Sequence, residues 1–149
     1  MPPPSEAAMI ALAQRAREAA EAAYVPYSRF HVGAAIETAD GTVFTAANVE
    51  NASYGLSLCA ETNAAMAAAL AGKHGFRAVA VVGWSATDMN GGALAAPCGR
   101  CRQILSEFAG PDCAVRIERR DPAAPAIVTT LSALLPHAFG PAEFHKPDA

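Results

Sequence analysis

Three cysteines are the residues of this chain whose types and spacing most clearly indicate chemistry. Cys98 and Cys101 form a Cys-x-x-Cys pair, and Cys59 lies well before them in the sequence. A Cys-x-x-Cys pair by itself is compatible with a zinc site, a redox dithiol or chance. A thioredoxin-like dithiol is expected early in a βαβ unit and would leave Cys59 without a role, so a metal site is the stronger interpretation.

Three thiolates would leave a tetrahedral zinc ion with one open position, as in catalytic rather than structural zinc sites. The fourth cysteine, Cys113, lies in an alternating apolar segment, which is typical of a core residue. The sequence therefore predicts one Zn²⁺ ion held by Cys59, Cys98 and Cys101. No histidine has ligand spacing to another, and all four are left without a role: His31, His74, His137 and His145.

Glu61 stands two positions after Cys59, where it can lie near a metal without binding it. A carboxylate in that position can take a proton from a zinc-bound water, whose pKa is lowered to about 7, and later return it. An isolated glutamate would more commonly complement a helix N-terminus. However, Cys-x-Glu followed by Pro-Cys-x-x-Cys is the signature of zinc-dependent nucleobase deaminases, so Glu61 is predicted to be the catalytic residue.

Helices must position these groups. Cys59 opens one predicted helix, and Pro97 directly precedes another, so that Cys98 and Cys101 fall in its first turn. The dipole and the free N–H groups of a helix start favour the thiolate form, which is the form that binds metal. Two helix N-termini that meet at one point could gather all three thiolates around one ion.

Helical and extended periodicities alternate along the chain, which predicts an α/β fold: a three-layer α/β/α sandwich with a mixed sheet of about five strands. The second helix is expected to bury Met66 and Leu70. The predicted helices are residues 6–23, 59–71, 98–109 and 131–135, and the predicted strands are residues 30–38, 42–46, 77–82, 113–118 and 126–129.

Length and composition bound the class of protein. The 149 residues fit a single domain, residues 1–149, with 1–5 as a flexible start and 142–149 as a polar tail. Hydrophobic residues make up 52%, which excludes a disordered chain, and the net charge of -3 argues against a nucleic-acid partner. The sequence lacks a membrane-length apolar run and a signal-peptide layout, so a cytoplasmic location without a membrane partner is expected.

The chain resembles the small, bacterial-type cytidine deaminases over nearly its whole length. The resemblance rests on blocks that occur in family order: YVPYSRF at 24–30, VGAA at 32–35, NVENASYG at 48–55, CAE at 59–61, PCGRCRQ at 97–103 and LLPHAFGP at 134–141.

This resemblance implies a zinc-dependent hydrolase that converts cytidine and deoxycytidine to uridine and deoxyuridine plus ammonia, in pyrimidine salvage. It also implies roles for substrate-binding residues. Asn48 and Glu50 would bind the ribose hydroxyls, Phe30 would pack against the pyrimidine, and the backbone at Ala60 would contact the base edge. Without the resemblance, Asn48 is an ordinary loop residue and Phe30 a core residue.

The family is typically a homotetramer whose active sites lie at subunit interfaces. The resemblance therefore implies that Phe139 reaches the site of a neighbouring subunit and that Tyr54 lines a shared pocket. Without it, Phe139 would be interpreted as packing on the core of its own chain.

One departure from the family concerns the charge at the metal. Many members carry arginine directly after the catalytic glutamate, whereas this chain has Thr62. We hypothesise that Arg100 or Arg102 offsets the negative charge of the three thiolates instead; an ordinary solvated role for Arg100 is the alternative.

A second departure concerns the substrate. Blasticidin S deaminases share the Pro-Cys-Gly-Arg-Cys-Arg block, so a related aminohydrolase acting on that antibiotic or on a modified cytosine is the alternative function, although residues 48–51 favour a ribosyl substrate.

The predicted loop 83–96, with Trp84 and Met89, either borders the base pocket or is a surface excursion.

Overall fold

The computed structural model describes residues 2–144, which form a five-stranded sheet in the order β2-β1-β3-β4-β5. Strands β3 and β4 are parallel, and the other neighbouring pairs are antiparallel. The prediction of a mixed α/β sheet is therefore confirmed. The strands are β1 (Phe30–Thr38), β2 (Val43–Ala47), β3 (Phe76–Ser85), β4 (Ala109–Glu118) and β5 (Ile127–Thr130).

Helices cover both faces of this sheet. Helix α1 (Glu6–Ala20) packs on one face, and α2 (Ala60–Leu70), α3 (Gly99–Ser106) and α4 (Leu131–Leu134) pack on the other. The sheet has a hydrophobic core on each face, and alternate residues of a strand point into one or the other. In β1, Ala35 faces α1, whereas Ala34 and Ile36 face the α2 layer. Because β3 is covered on both sides, its sequence is a continuous apolar run rather than an alternating one.

Helix α1 begins as the sequence predicts but ends earlier. The Ser5 hydroxyl caps it by accepting from the Ala8 amide at 3.1 Å. A side chain at Gly33 of β1 would place its Cβ 1.9 Å from the Ala16 carbonyl oxygen, so glycine lets the helix backbone lie directly on the strand. After Ala20 the chain turns toward a bridge between Tyr24 and Val49, which ends the helix before residue 23.

The prediction that α2 buries Met66 and Leu70 is wrong, because these side chains are 40% and 91% exposed. The buried face is formed by small residues, among them Ala64, Ala65 and Ala68. Small side chains allow the helix to lie close to the sheet, and the larger apolar ones then point outward. Gly72, with φ +76°, follows the helix as predicted.

Two strands extend beyond their predicted bounds. Strand β3 continues to Ser85, so Trp84 belongs to the sheet, is 3% exposed and stacks on His31 with ring centroids 5.6 Å apart. Strand β4 begins at Ala109 rather than Cys113, since Ala109 already pairs with Phe76.

The ends of the chain contribute short contacts. The Pro2 carbonyl accepts from Arg77 at 3.3 Å, and Pro141–Phe144 forms a 3-10 helix. The rest of the predicted polar tail, 145–149, lies outside the described residues. No helix within residues 2–144 is long and apolar enough to cross a membrane.

Candidate active site

The starts of α2 and α3 meet on one face of the sheet and carry the three candidate metal ligands. Cys59 is the N-cap of α2, Cys98 is the N-cap of α3, and Cys101 lies in the first turn of α3. Neither N-cap cysteine uses its side chain to cap its helix. The sequence predicted this meeting of two helix starts.

The three sulfur atoms lie within 4.8 Å of one another. Three thiolates around one zinc ion, with Zn–S bonds of about 2.3 Å, would lie about 3.8 Å apart, so the cluster needs only a small contraction. Among residues 2–144, no fourth cysteine, histidine or carboxylate joins this group. The donor set therefore fits a zinc ion with an open coordination position.

Cys113 lies apart from the cluster, as predicted. Its side chain is 4% exposed in the core, and its thiol donates to the Ala114 carbonyl at 3.8 Å. Burial raises the pKa of this thiol to about 12, which keeps it protonated. A protonated buried thiol has a packing role.

Two of the clustered thiols shift each other's pKa in opposite directions. A hydrogen bond with Cys101 lowers the pKa of Cys59. The same hydrogen bond raises the pKa of Cys101, and burial and the charge of Glu61 raise it further. Zinc binding releases thiol protons, because only thiolates act as ligands.

Glu61 lies in the first turn of α2, beside the cysteines but outside the three-sulfur group. The residue is 4% exposed, and burial raises the pKa of its carboxyl. A carboxyl with a raised pKa exchanges protons more readily near neutral pH than an ordinary glutamate does.

A cavity of about 290 Å³ opens next to the cysteines. It brings together four of the residues that the sequence assigned to substrate and catalysis: Phe30, Asn48, Ala60 and Glu61. The full lining is Phe30, Val32, Asn48, Cys59, Ala60, Glu61, Leu94, Ala95, Ala96 and Cys98.

Asn48 is held by both ends of its amide. Its Oδ1 accepts from the Val32 amide and its Nδ2 donates to the Phe30 carbonyl, each at 2.9 Å. These bonds fasten the residue to β1 and fix the backbone of Phe30 at the cavity wall. One N–H of the Nδ2 group is left for a ligand, since a primary amide has two.

Glu50 and Tyr54 line a second cavity, of about 400 Å³, together with Tyr27, Ser28 and Ser57. The Glu50 Oε1 accepts from the Tyr27 and Ser28 amides at 3.0 and 3.1 Å. Burial opposes ionisation of this carboxyl, but hydrogen bonds from Ser28 and Tyr27 outweigh it and lower the pKa of Glu50. The ionised carboxylate keeps lone pairs for a further donor.

Phe139 lines neither the cavity beside the cysteines nor the cavity at Glu50. Its ring is 61% exposed and packs edge-on against Phe144, with centroids 5.5 Å apart. Its carbonyl accepts from the Gln103 side chain of α3 at 2.8 Å. The expectation that it serves a neighbouring subunit stays a prediction.

The two arginines of α3 lie away from the sulfur atoms. Arg102 donates to the carbonyls of Pro97 and Leu134, at 2.7 and 2.8 Å, and so ties α3 to the last residue of α4. Arg100 is exposed, and in the described part of the chain neither guanidinium donates to a cysteine. Charge compensation by either arginine stays a hypothesis, and the structure offers Arg102 a different role.

The loop before the Cys-x-x-Cys pair borders the cavity only at its end, through Leu94, Ala95 and Ala96. Trp84 faces α1 on the opposite side of the sheet, and Met89 lines a separate cavity near Arg17. A side chain at Gly83 would place its Cβ 2.5 Å from the Ala95 Cβ, so this glycine lets the loop lie on β3.

Two contacts escaped the sequence analysis: the hydrogen bonds from the Tyr27 and Ser28 amides to Glu50, and the approach of the Thr62 hydroxyl to Cys101. The Thr62 Oγ1 lies 3.5 Å from the Cys101 Sγ. Its position directly after Glu61, in the first turn of α2, was the available signal.

Comparisons with known proteins agree with this geometry. Residues 8–116 match the sequence profile of the cytidine and deoxycytidylate deaminase zinc-binding region. Cytidine deaminase from Mycobacterium tuberculosis is 47% identical over 125 residues, which cover 84% of each chain. The crystal structure of cytidine deaminase from Burkholderia pseudomallei is similar with a TM-score of 0.77, at 45% identity over 87% of this chain and 97% of that one.

A more distant relative is the blasticidin-S deaminase of Bacillus cereus, which is 32% identical over 111 residues, or 73% of this chain and 76% of the relative. The matched range, residues 8–116, spans all three clustered cysteines and Glu61. The chain therefore belongs to the zinc-binding cytidine and deoxycytidylate deaminase family.

Proposed function

We propose that this protein is a cytidine deaminase that hydrolyses cytidine and deoxycytidine to uridine and deoxyuridine plus ammonia, in pyrimidine salvage. One observation carries the proposal: a cluster of three thiols adjoins a cavity that a buried glutamate and an asparagine line, and a second glutamate lines another cavity. Relatives that are 47% and 45% identical and bear the name cytidine deaminase support the same reaction.

The base binds in the cavity beside the cysteines. Its volume, about 290 Å³, lies at the lower end for small-molecule sites and suits a single ring. Phe30 packs against the face of the ring, and the backbone at Ala60 binds its edge. This orientation directs the amino-bearing carbon, C4, toward the three sulfurs and Glu61.

The sugar extends toward the second cavity. The free N–H of Asn48 donates to one ribose hydroxyl, and the ionised Glu50 accepts from another. Both side chains are already fixed by hydrogen bonds with the backbone, so they bind the sugar hydroxyls without rearranging.

Cys59, Cys98 and Cys101 would hold the zinc ion, which would supply the Lewis acidity that makes water a better nucleophile. Glu61 takes a proton from the attacking water, passes protons to N3 of the base and to the leaving nitrogen at C4, and is regenerated as ammonia departs. Burial of Glu61 supports this role, because a carboxyl with a raised pKa can both accept and donate.

The proposal includes a cytoplasmic homotetramer with shared sites. Large apolar side chains that a single chain leaves exposed support self-association: Tyr54, Leu56, Leu70, Phe139 and Phe144. Light scattering after size-exclusion chromatography tests the assembly, and a monomer at micromolar concentration would contradict it.

The activity is tested with zinc-loaded protein and cytidine or deoxycytidine, by following the loss of cytosine absorbance. Glu61→Gln is the matched control, because it keeps the side-chain shape. Turnover by the native protein alone supports the proposal, whereas equal rates for both proteins would overturn it.

A related aminohydrolase acting on blasticidin S is the second candidate. The Bacillus cereus relative and the exposed Arg100 within the Cys-x-x-Cys pair favour it. A substrate panel with cytidine, deoxycytidine, 5-substituted cytidines and blasticidin S separates the two, since this candidate requires faster turnover of the antibiotic than of cytidine.

A further inference from the structure

A buried hydroxyl faces the metal ligands from the start of α2. Thr62 is 6% exposed, and its Oγ1 lies 3.5 Å from the Cys101 Sγ, within hydrogen-bond range for sulfur. Within residues 2–144, no other hydrogen bond of this side chain is present. A buried hydroxyl with one partner is oriented by that partner.

Metal binding determines the direction of this hydrogen bond. In the metal-free protein either atom can donate, because a cysteine can carry its own proton. A cysteine that binds metal is a thiolate, which has lone pairs but no proton. The Thr62 hydroxyl must then donate to Cys101.

The described residues provide no charged donor for this sulfur. Arg102 is bound to the Pro97 and Leu134 carbonyls, and Arg100 is exposed. Three thiolates on a divalent ion carry a net negative charge. The carboxyl of Glu61 adds to it, because Glu61 lines the cavity together with Cys59 and Cys98. In such a buried place a hydrogen bond to an ionised group contributes more than it does in water.

We propose that Thr62 is a positioning residue of the zinc centre: its hydroxyl donates to the Cys101 thiolate and stabilises that ligand in place of a cation. Partners of metal ligands typically contribute 10–100-fold to metal affinity. A single neutral donor belongs at the lower end of that range, so loss of the hydroxyl weakens zinc binding about tenfold.

The test compares four variants of the full chain. Thr62→Val removes the hydroxyl at nearly constant shape, Thr62→Ala removes it with less bulk, and Thr62→Ser retains it. Thr38→Val is the matched control, because Thr38 is also buried but bonds to Asp40 and Thr42 within the β1–β2 hairpin.

Two readouts follow the metal rather than turnover: the zinc dissociation constant, by competition with a chromogenic chelator, and the thiolate-to-metal charge-transfer band of the cobalt-loaded protein. Valine and alanine at position 62 are expected to weaken zinc binding about tenfold and to shift the band to lower energy, because an unbonded thiolate donates electrons more readily. Serine and the Thr38 control should behave as the native protein does.

Unchanged affinity and band position in Thr62→Val and Thr62→Ala would overturn the proposal. So would equal losses in Thr62→Ser and Thr62→Val, since serine keeps the hydroxyl and valine lacks it, and the loss of zinc affinity would then not follow the hydroxyl. Neither readout involves a nucleoside, so the result is independent of whether the protein deaminates cytidine.

Discussion

The two ends of the candidate pocket are built differently. At the metal end, Cys101 is fully buried and Glu61 is 4% exposed, and all the groups come from the starts of two helices of one chain. At the sugar end, Glu50 and Tyr54 line a separate open cavity, and Tyr54 is 72% exposed. The contrast supports our proposal that one chain completes the chemistry, whereas a neighbouring chain completes substrate binding.

The largest effect is expected from Glu61→Gln at the metal end. Glutamine keeps the shape but cannot carry a proton, so kcat should fall about 10³-fold, within the range for loss of a general acid–base. Initial rates with saturating cytidine and zinc content by atomic absorption measure the two quantities. Retained zinc with lost turnover fits the proposed role, while loss of zinc would make Glu61 a ligand.

Glu50→Gln should affect the sugar end and leave the metal end intact. Loss of the charged acceptor for a sugar hydroxyl should raise KM about tenfold and change kcat little. Steady-state kinetics with cytidine measure the split, and Glu37→Gln, on β1 beside Arg77, is the matched control. A fall in kcat at constant KM would break the distinction between the two ends.

Phe139→Ala tests whether the sugar end depends on a second chain. We expect kcat/KM to fall several-fold, with Ile127→Ala on the exposed β5 as the control. Mixing Phe139→Ala with Glu61→Gln subunits should restore sites that combine an intact Glu61 with a neighbour's intact Phe139. A mixture no more active than the sum of its parts would argue that each chain works alone.

The smallest effect concerns pH. Because the pKa of Glu50 is lowered from the ordinary 4.5, the folded state binds this proton less readily than the unfolded state does. Ionised Glu50 therefore favours the fold above about pH 4.5, and this contribution is lost as pH falls through the lowered pKa. Carbon-detected NMR titration of the Glu50 carboxyl measures its midpoint, and a value at or above 4.5 would contradict the assignment.

Much of the metal end could be predicted from the sequence because its signals are local. A helix start brings Cys59 and Glu61 into one turn, and the same holds for Cys98 and Cys101. Strand β1 was predicted with its observed bounds, since turn residues flank it on both sides.

What escaped prediction depends on distances between residues far apart in the chain. Hydrophobicity alone assigned Met66 and Leu70 to the core, whereas close packing against the sheet selected alanines. Trp84 looked like a loop residue until pairing with β1 extended the strand. Arg102 donates hydrogen bonds to the carbonyls of Pro97 and Leu134, which come together only in the folded chain.

The amide clamp of Asn48 has a thermodynamic consequence for ligand binding. An asparagine on a free loop would lose rotamer freedom when it bound a substrate. This loss of side-chain conformational entropy would weaken binding. Here the bonds to Val32 and Phe30 have ordered the side chain during folding. The conformational cost therefore falls on folding rather than on each binding event, and the sugar end meets its ligand with polar groups already aligned.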